Sequence, residues 1–189
     1  MRNFLLAFFA GCTPHLKSNP TATCGGEELD NSWNVAVPPQ TLEGEGASRG
    51  QVVKDFCMVD QHGDKTSLWQ FYGDVILLDI STMWCGPCQQ IAQDVEETWE
   101  DYVAQGFTYI TMLPEDLEGG SVDQDDLNDW AENFEITAPI VADNAGYGYT
   151  VEPQRAWPVV MLIDRNMKVL VERVAPNDHS IREAIESAL

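Results

Sequence analysis

An α/β fold, a central mixed sheet with helices on both faces, follows from three observations along the chain. After Gly50 the sequence breaks into short apolar runs separated by amphipathic stretches. Strand-like and helix-like segments alternate first, which favours parallel neighbours, and an antiparallel hairpin and a helix then close the chain. With 189 residues, the chain has material for one compact domain and a tail.

The elements follow in order. Val52–Val59 and Lys65–Ser67 flank a Gly63-Asp64 turn and read as a leading hairpin. Val75-Ile76-Leu77-Leu78-Asp79-Ile80 is an almost continuous apolar run, as expected of a strand buried on both faces. From Pro87 to Gln105, Ile91, Val95, Trp99 and Val103 recur at a spacing of four, which predicts one amphipathic helix ended by Gly106. Phe107–Leu113 is the next strand. Ser121 and Gln124 read as a capping box opening a helix through Phe134. Ile140-Val141 is a short strand, Val159–Ile163 and Lys168–Val174 form a hairpin, and Asp178–Leu189 is the final helix.

Hydrophobic residues make up 44% of the chain, so a packed core is within reach. The formal charge of −21 argues against nucleic-acid partners, whose phosphates need a Lys/Arg footprint. No Lys, Arg or His occurs from Thr66 to Gln154. The acidic stretch is either a solvated surface or a field that steers basic partners.

Arg2 precedes the apolar run Phe4–Ala10, which spans about 10 Å as a helix against a hydrocarbon core of roughly 30 Å. This reads as an export signal over residues 1–11, not a membrane span. Phe9-Ala10-Gly11-Cys12 resembles the lipobox of bacterial lipoproteins, which implies lipid attachment at Cys12 and a cell-envelope location facing the periplasm or the outside. Residues 12–49, rich in Pro, Gly, Ser, Thr and Glu, read as a flexible acidic tether. Residues 50–189 form the folded domain.

Trp84-Cys85-Gly86-Pro87-Cys88 falls where the buried strand meets the long helix. Unpaired N–H groups and the macrodipole at a helix start favour a thiolate, so Cys85 suits a nucleophile. Cys88, one turn inside, suits the thiol that resolves the mixed disulfide. The redox-active disulfide is the only cofactor this chemistry needs. No metal is expected, because neither Cys24/Cys57 nor His62/His179 supplies the second close pair of a zinc site. Cys24 and Cys57 form a structural disulfide, or else Cys57 is a small buried residue and Cys24 a free thiol.

Over residues 50 to 189 the chain resembles the thioredoxin superfamily, and most of all its membrane-anchored periplasmic disulfide reductases of the cytochrome c maturation type. Asp55-Phe56, Trp84-Cys85-Gly86-Pro87-Cys88, Pro139-Ile140-Val141-Ala142-Asp143 and Trp157-Pro158 carry the resemblance. It implies a thioredoxin-like fold and a cis-proline at Pro158. The Trp157 backbone is then presented to a substrate segment beside Trp84, Gly86 and Pro87. It also implies that Asp79, six residues before Cys85, is a buried acid exchanging protons with Cys88. Thioredoxin's lysine near that acid has no counterpart, Gln93 replaces its helix-kinking proline, and Trp157 is bulkier than the usual residue before the cis-proline.

The expected activity is protein disulfide reduction in the envelope, with protein disulfides or dithiols as substrates and a membrane thiol donor as the source of electrons. An oxidase or isomerase on the same scaffold, and a Cu(I) carrier using the two thiolates, are the competing readings. A peroxidase fits less well, although Thr82 precedes Cys85 at the spacing of the peroxiredoxin nucleophile motif.

Overall fold

The computed structural model describes residues 23–189. The export signal expected over residues 1–11 and the lipid attachment expected at Cys12 lie outside the described residues.

A two-stranded ribbon, β1 (Thr23–Cys24) and β2 (Glu27–Glu28), precedes the main sheet. The sheet strands are β3 (Cys57–Asp60), β4 (Lys65–Ser67), β5 (Val75–Ile80), β6 (Phe107–Leu113), β7 (Ile140–Ala142), β8 (Val159–Ile163) and β9 (Val169–Val174), in the spatial order β4-β3-β7-β6-β5-β8-β9. The β5–β6 and β6–β7 pairs are parallel and the other pairs antiparallel, so the sheet is mixed. Every residue of β5 and β6 is buried, as their central position requires.

Side-chain alternation along β5 divides the interior. Val75 and Leu77 pack on one face with Cys85 and Cys88, while Ile76, Leu78 and Ile80 pack on the other. The first face carries α1 (Gly86–Ala92), α2 (Val95–Tyr102), α3 (Gln124–Phe134) and α5 (Asp178–Glu186), through Ile91, Val95, Leu127, Trp130, Ile181 and Ile185. The second face is covered by Leu68 and Phe71 of a 3₁₀ turn and by Tyr147 and Val151 of the short α4 (Tyr147–Val151). Helices thus flank both faces, unequally.

Three elements differ from the sequence expectation. The helix expected to run unbroken from Pro87 to Gln105 is interrupted at Gln93–Asp94. Asp94 becomes the cap of α2, whose first turn carries Glu96 and Glu97, and carboxylates suit a fresh helix N-terminus. The capping box of α3 is Asp123 with Asp126, not Ser121 with Gln124. The Asp123 carboxylate accepts from the Asp125 and Asp126 amides and Asp126 returns the bond, a stronger arrangement because the acceptors are ionised. The chain after Gly146, to which the sequence assigned no element, contains α4.

The larger correction concerns residues 23–49, expected as part of a flexible acidic tether. They are fastened across the sheet. Cys24 and Cys57 are joined by a disulfide with Cα atoms 5.3 Å apart. Asn31 donates to Lys65 O and to Gln70, and the Trp33 indole donates to the buried Asp60 at 2.6 Å. Trp33, Leu42 and Ala47 then pack on the second sheet face. Gly50 N donates to Val169 O, which carries the segment to the β9 edge. Without a long helix on that face, the arm removes apolar surface from water at roughly 25 cal/mol per Å². Anchoring is by scattered side-chain contacts with no periodicity, so composition alone resembles a linker.

Candidate functional site

The site lies where β5 runs into α1. Cys85 caps α1 in extended conformation, and its Sγ accepts from the Cys88 amide at 3.3 Å. Gly86 and Pro87 fill the first turn, where proline's missing N–H costs nothing. Cys85 and Cys88 are disulfide-bonded with Cα atoms 5.2 Å apart. Cys88 is fully enclosed, whereas Cys85 keeps 5% of its surface. The asymmetry gives one sulfur a path to an incoming reactant and hides the other.

Trp157–Pro158 is a cis peptide. The Trp157 carbonyl lies 3.7 Å from Cys85 Sγ, so the start of β8 faces the outer sulfur. The β5–β8 register places Asp79 beside Val160. Pro158 therefore approaches from the C-terminal end of β5, where the chain turns into the Cys85 loop.

Asp79 is 1% exposed and shares the face of Leu77 with Cys88. Ser81 Oγ donates to it at 2.6 Å. Burial pushes its pKa up to about 7, and the Ser81 hydrogen bond opposes only part of that rise. Tyr109 and Thr111 occupy the same face of β6, and both hydroxyls are buried without partners among the described residues. Burial, with Asp79 as a further cause, pushes the Tyr109 hydroxyl well above its ordinary value. The acid thus has no cationic neighbour among the groups that set its pKa.

One group at the rim has no place in the sequence reading. Glu115, in the loop after β6, is nearly buried; it accepts from the Trp84 indole at 2.7 Å and the Tyr149 hydroxyl at 2.8 Å and forms an ion pair with Arg155 Nη1 at 3.3 Å. Glu115 O also accepts from Met83 N. The Arg155 guanidinium stacks over the Tyr149 ring at 4.6 Å, and that ring lies 6.1 Å from Trp157. Trp84 remains 47% exposed. Glu115 and Arg155 are distant in sequence, and only the strand order brings them together. The available signal was position, since ligands of open α/β sheets bind beyond the carboxyl ends of strands and Glu115 follows β6 there.

The remaining predicted residues are accounted for. Cys24 and Cys57 bridge away from this site, and His179 sits in the first turn of α5. Among the described residues, no cluster of three or more His, Cys, Asp or Glu is arranged to hold a metal ion, and no helix is long and apolar enough to cross a membrane.

The AhpC/TSA family model matches residues 49–171. Thioredoxin-like protein YneN of Bacillus subtilis is 24% identical over 134 residues, covering 70% of this chain and 74% of that one. Thiol-disulfide oxidoreductase ResA of Geobacillus thermodenitrificans is 28% identical over 122 residues, covering 64% and 66%. Among solved structures, a thioredoxin-family thiol:disulfide interchange protein from Chlorobium tepidum superposes with a TM-score of 0.63 at 16% identity, over 75% of this chain and 97% of that one. A thiol:disulfide interchange protein from Bacteroides sp. gives 0.63 at 17% identity, over 74% and 89%. At these identities the structural likeness shows the thioredoxin-like fold.

Proposed function

Because this chain belongs to the AhpC/TSA family, and within it is similar to proteins named thiol-disulfide oxidoreductases, we propose that it reduces protein disulfides in the bacterial cell envelope through Cys85 and Cys88. The observation that carries this reading is the asymmetry of the pair. Cys85 caps a helix and accepts from the Cys88 amide, while Cys88 is enclosed. The N–H groups of the first turn stabilise charge on Cys85 Sγ, which favours it as the attacking group.

The exchange then proceeds in two balanced steps. The Cys85 thiolate attacks a substrate disulfide; one S–S bond forms, the substrate S–S bond breaks, and the departing substrate sulfur takes a proton. Cys88 next passes its proton to Asp79, whose raised pKa suits it as acceptor near neutral pH. The Cys88 thiolate attacks Cys85 Sγ and expels the second substrate sulfur, leaving the Cys85–Cys88 disulfide. Pro158 and the Trp157 carbonyl hold the substrate segment against Cys85, and Trp84, Gly86 and Pro87 form the opposite wall. A thiol donor in the membrane restores the dithiol, and a lipid at Cys12 keeps the domain near it.

Trapping tests the assignment. Cys88→Ser should accumulate a mixed disulfide with substrate, and Cys85→Ser should not; trapping through Cys88 alone would overturn it. An oxidase or isomerase would use the same residues at a higher potential. Equilibration with glutathione decides the direction: a value near thioredoxin's, about −270 mV, supports the reductase, and one near −120 mV supports an oxidase.

A further inference from the structure

We infer that Arg155 is a specificity-determining residue that selects substrate segments carrying a carboxylate beside the disulfide cysteine. The inference rests on the thiol-disulfide reading above and adds a substrate class to it.

The chain places this cation deliberately. Arg155 is the first basic residue after Lys65, so an extended acidic stretch contributes no positive charge to the site. Its backbone is in the left-handed region at φ 56°, a strained conformation for a non-glycine residue that persists only where neighbours impose it. Glu152 imposes it. Its carbonyl accepts from Arg155 N at 3.1 Å and its carboxylate from Gln154 N at 2.9 Å, while Arg173 pairs with the same carboxylate.

The contacts close a ring around the outer sulfur. Trp84 adjoins Cys85, Glu115 binds both Trp84 and Arg155, and two residues after Arg155 the Trp157 carbonyl faces Cys85 Sγ. A peptide lying on the Trp157 backbone therefore runs past Arg155. The guanidinium is engaged at Nη1 by Glu115 and on one face by Tyr149, yet the side chain is 61% exposed. Its remaining N–H groups form the planar fork that matches a carboxylate in bidentate geometry. Glu115, buried beneath, offers an incoming cation no comparable approach.

Distant charge acts differently from this contact. The chain's net −21 disfavours any anionic substrate during diffusion, but that field is screened beyond about 8 Å in physiological salt. Local selection is thus read by holding net charge constant. Two cyclic disulfide peptides of identical composition serve as probes. One has Asp next to a cysteine and Lys several residues away, and the other has them exchanged. Reduction by the pre-reduced protein is followed for both in 0.15 M salt.

The wild type should reduce the Asp-adjacent peptide about five- to tenfold faster. Arg155→Gln should bring the ratio near one, and Arg155→Glu should invert it. A wild-type ratio of one, or a ratio unchanged in both variants, overturns the proposal and leaves Arg155 as a neutralising partner of Glu115. Because the readout is a ratio within one sample, partial unfolding of a variant lowers both rates together and does not imitate loss of selection. If the wild type reduces neither peptide while Cys88→Ser traps no mixed disulfide, the oxidoreductase reading itself fails and this inference with it.

Discussion

The Trp84 indole donates to the Glu115 carboxylate at 2.7 Å, so the residue preceding the outer cysteine is fixed by the loop that follows β6. Glu115 also holds Tyr149, and the two bonds tie opposite walls of the site together. Glu115→Ala should free both aromatic rings and leave Arg155 without its partner. Losing hydrogen bonds to a nearly buried charged group costs about 1–3 kcal/mol, which thermal or denaturant unfolding will measure. Trp84 fluorescence should shift toward that of solvated indole. Glu115→Gln, which keeps an acceptor, should retain most of the stability; equal losses in the two variants would show that the bonds to Trp84 and Tyr149 contribute little.

Asp79 gives a stability signature with a definite sign. Its pKa of about 7 in the folded protein exceeds the ordinary 3.8, so the folded state holds the proton that the unfolded state has lost. The contribution is therefore fully present below about pH 4 and disappears as pH rises through 7. Above pH 7 the buried carboxylate should cost on the order of 4 kcal/mol, taking about 1.4 kcal/mol for each unit of difference. Asp79→Asn should raise the melting temperature of the disulfide form most at pH 8, less at pH 5, and change it little below about pH 4. In the proposed mechanism the same variant should slow the resolving step at neutral pH by about 10²-fold or more. A melting difference that is flat from pH 5 to 8 would remove the case for a raised pKa.

The arm has its own test. Cys24–Cys57 closes a loop across a sequence separation of 33, for which chain entropy gives about 3–4 kcal/mol of stabilisation. Cys24→Ala with Cys57→Ala should lose about that much and expose residues 23–49 to limited proteolysis. The proposed disulfide exchange should persist, because Cys57 lies on β3 and the strand leading to Cys85 is β5, with β7 and β6 between them. Peptide mapping without reductant should recover the two cysteines in one linked fragment, and a free Cys24 thiol would remove the basis for the prediction.

What could be read from sequence was whatever local pattern determines. The apolar run Val75–Ile80 announced a strand buried on both faces, and the cysteine pair at its end announced the strand-to-helix junction. The break at Gln93–Asp94 was hidden, because the fourfold spacing of Ile91, Val95 and Trp99 continues across it. The arm was hidden for a different reason. Asn31, Trp33 and Gly50 hold it through single long-range contacts, and such contacts leave no period to detect. Glu115 and Arg155 belong to the same class, since each looks like an ordinary surface charge until the order β7-β6-β5-β8 sets their loops side by side.

Encounter with substrate should respond to salt in a way that separates the protein's overall field from contacts at the site. The net charge of −21 produces a potential that attracts basic partners and repels acidic ones over distances set by the Debye length, roughly 30 Å at 0.01 M and 8 Å at 0.15 M. In the proposed mechanism the Cys85 thiolate is stabilised at closer range, by the first-turn amides of α1, including the Cys88 N–H at 3.3 Å. Salt should therefore leave the thiolate nearly unchanged while it alters association. Reduction of a cationic disulfide peptide should slow as ionic strength rises from 0.01 to 0.15 M, and reduction of an anionic peptide of the same length should accelerate. Stopped-flow rates at several peptide concentrations will place the effect in the bimolecular step. The preference between the two charge-matched peptides that differ only in Asp placement should outlast the same change in salt, because a contact at Arg155 acts at hydrogen-bond distance, well inside the Debye length. If both bimolecular rates are flat over that range, the acidic surface serves solubility alone and does not select partners at a distance.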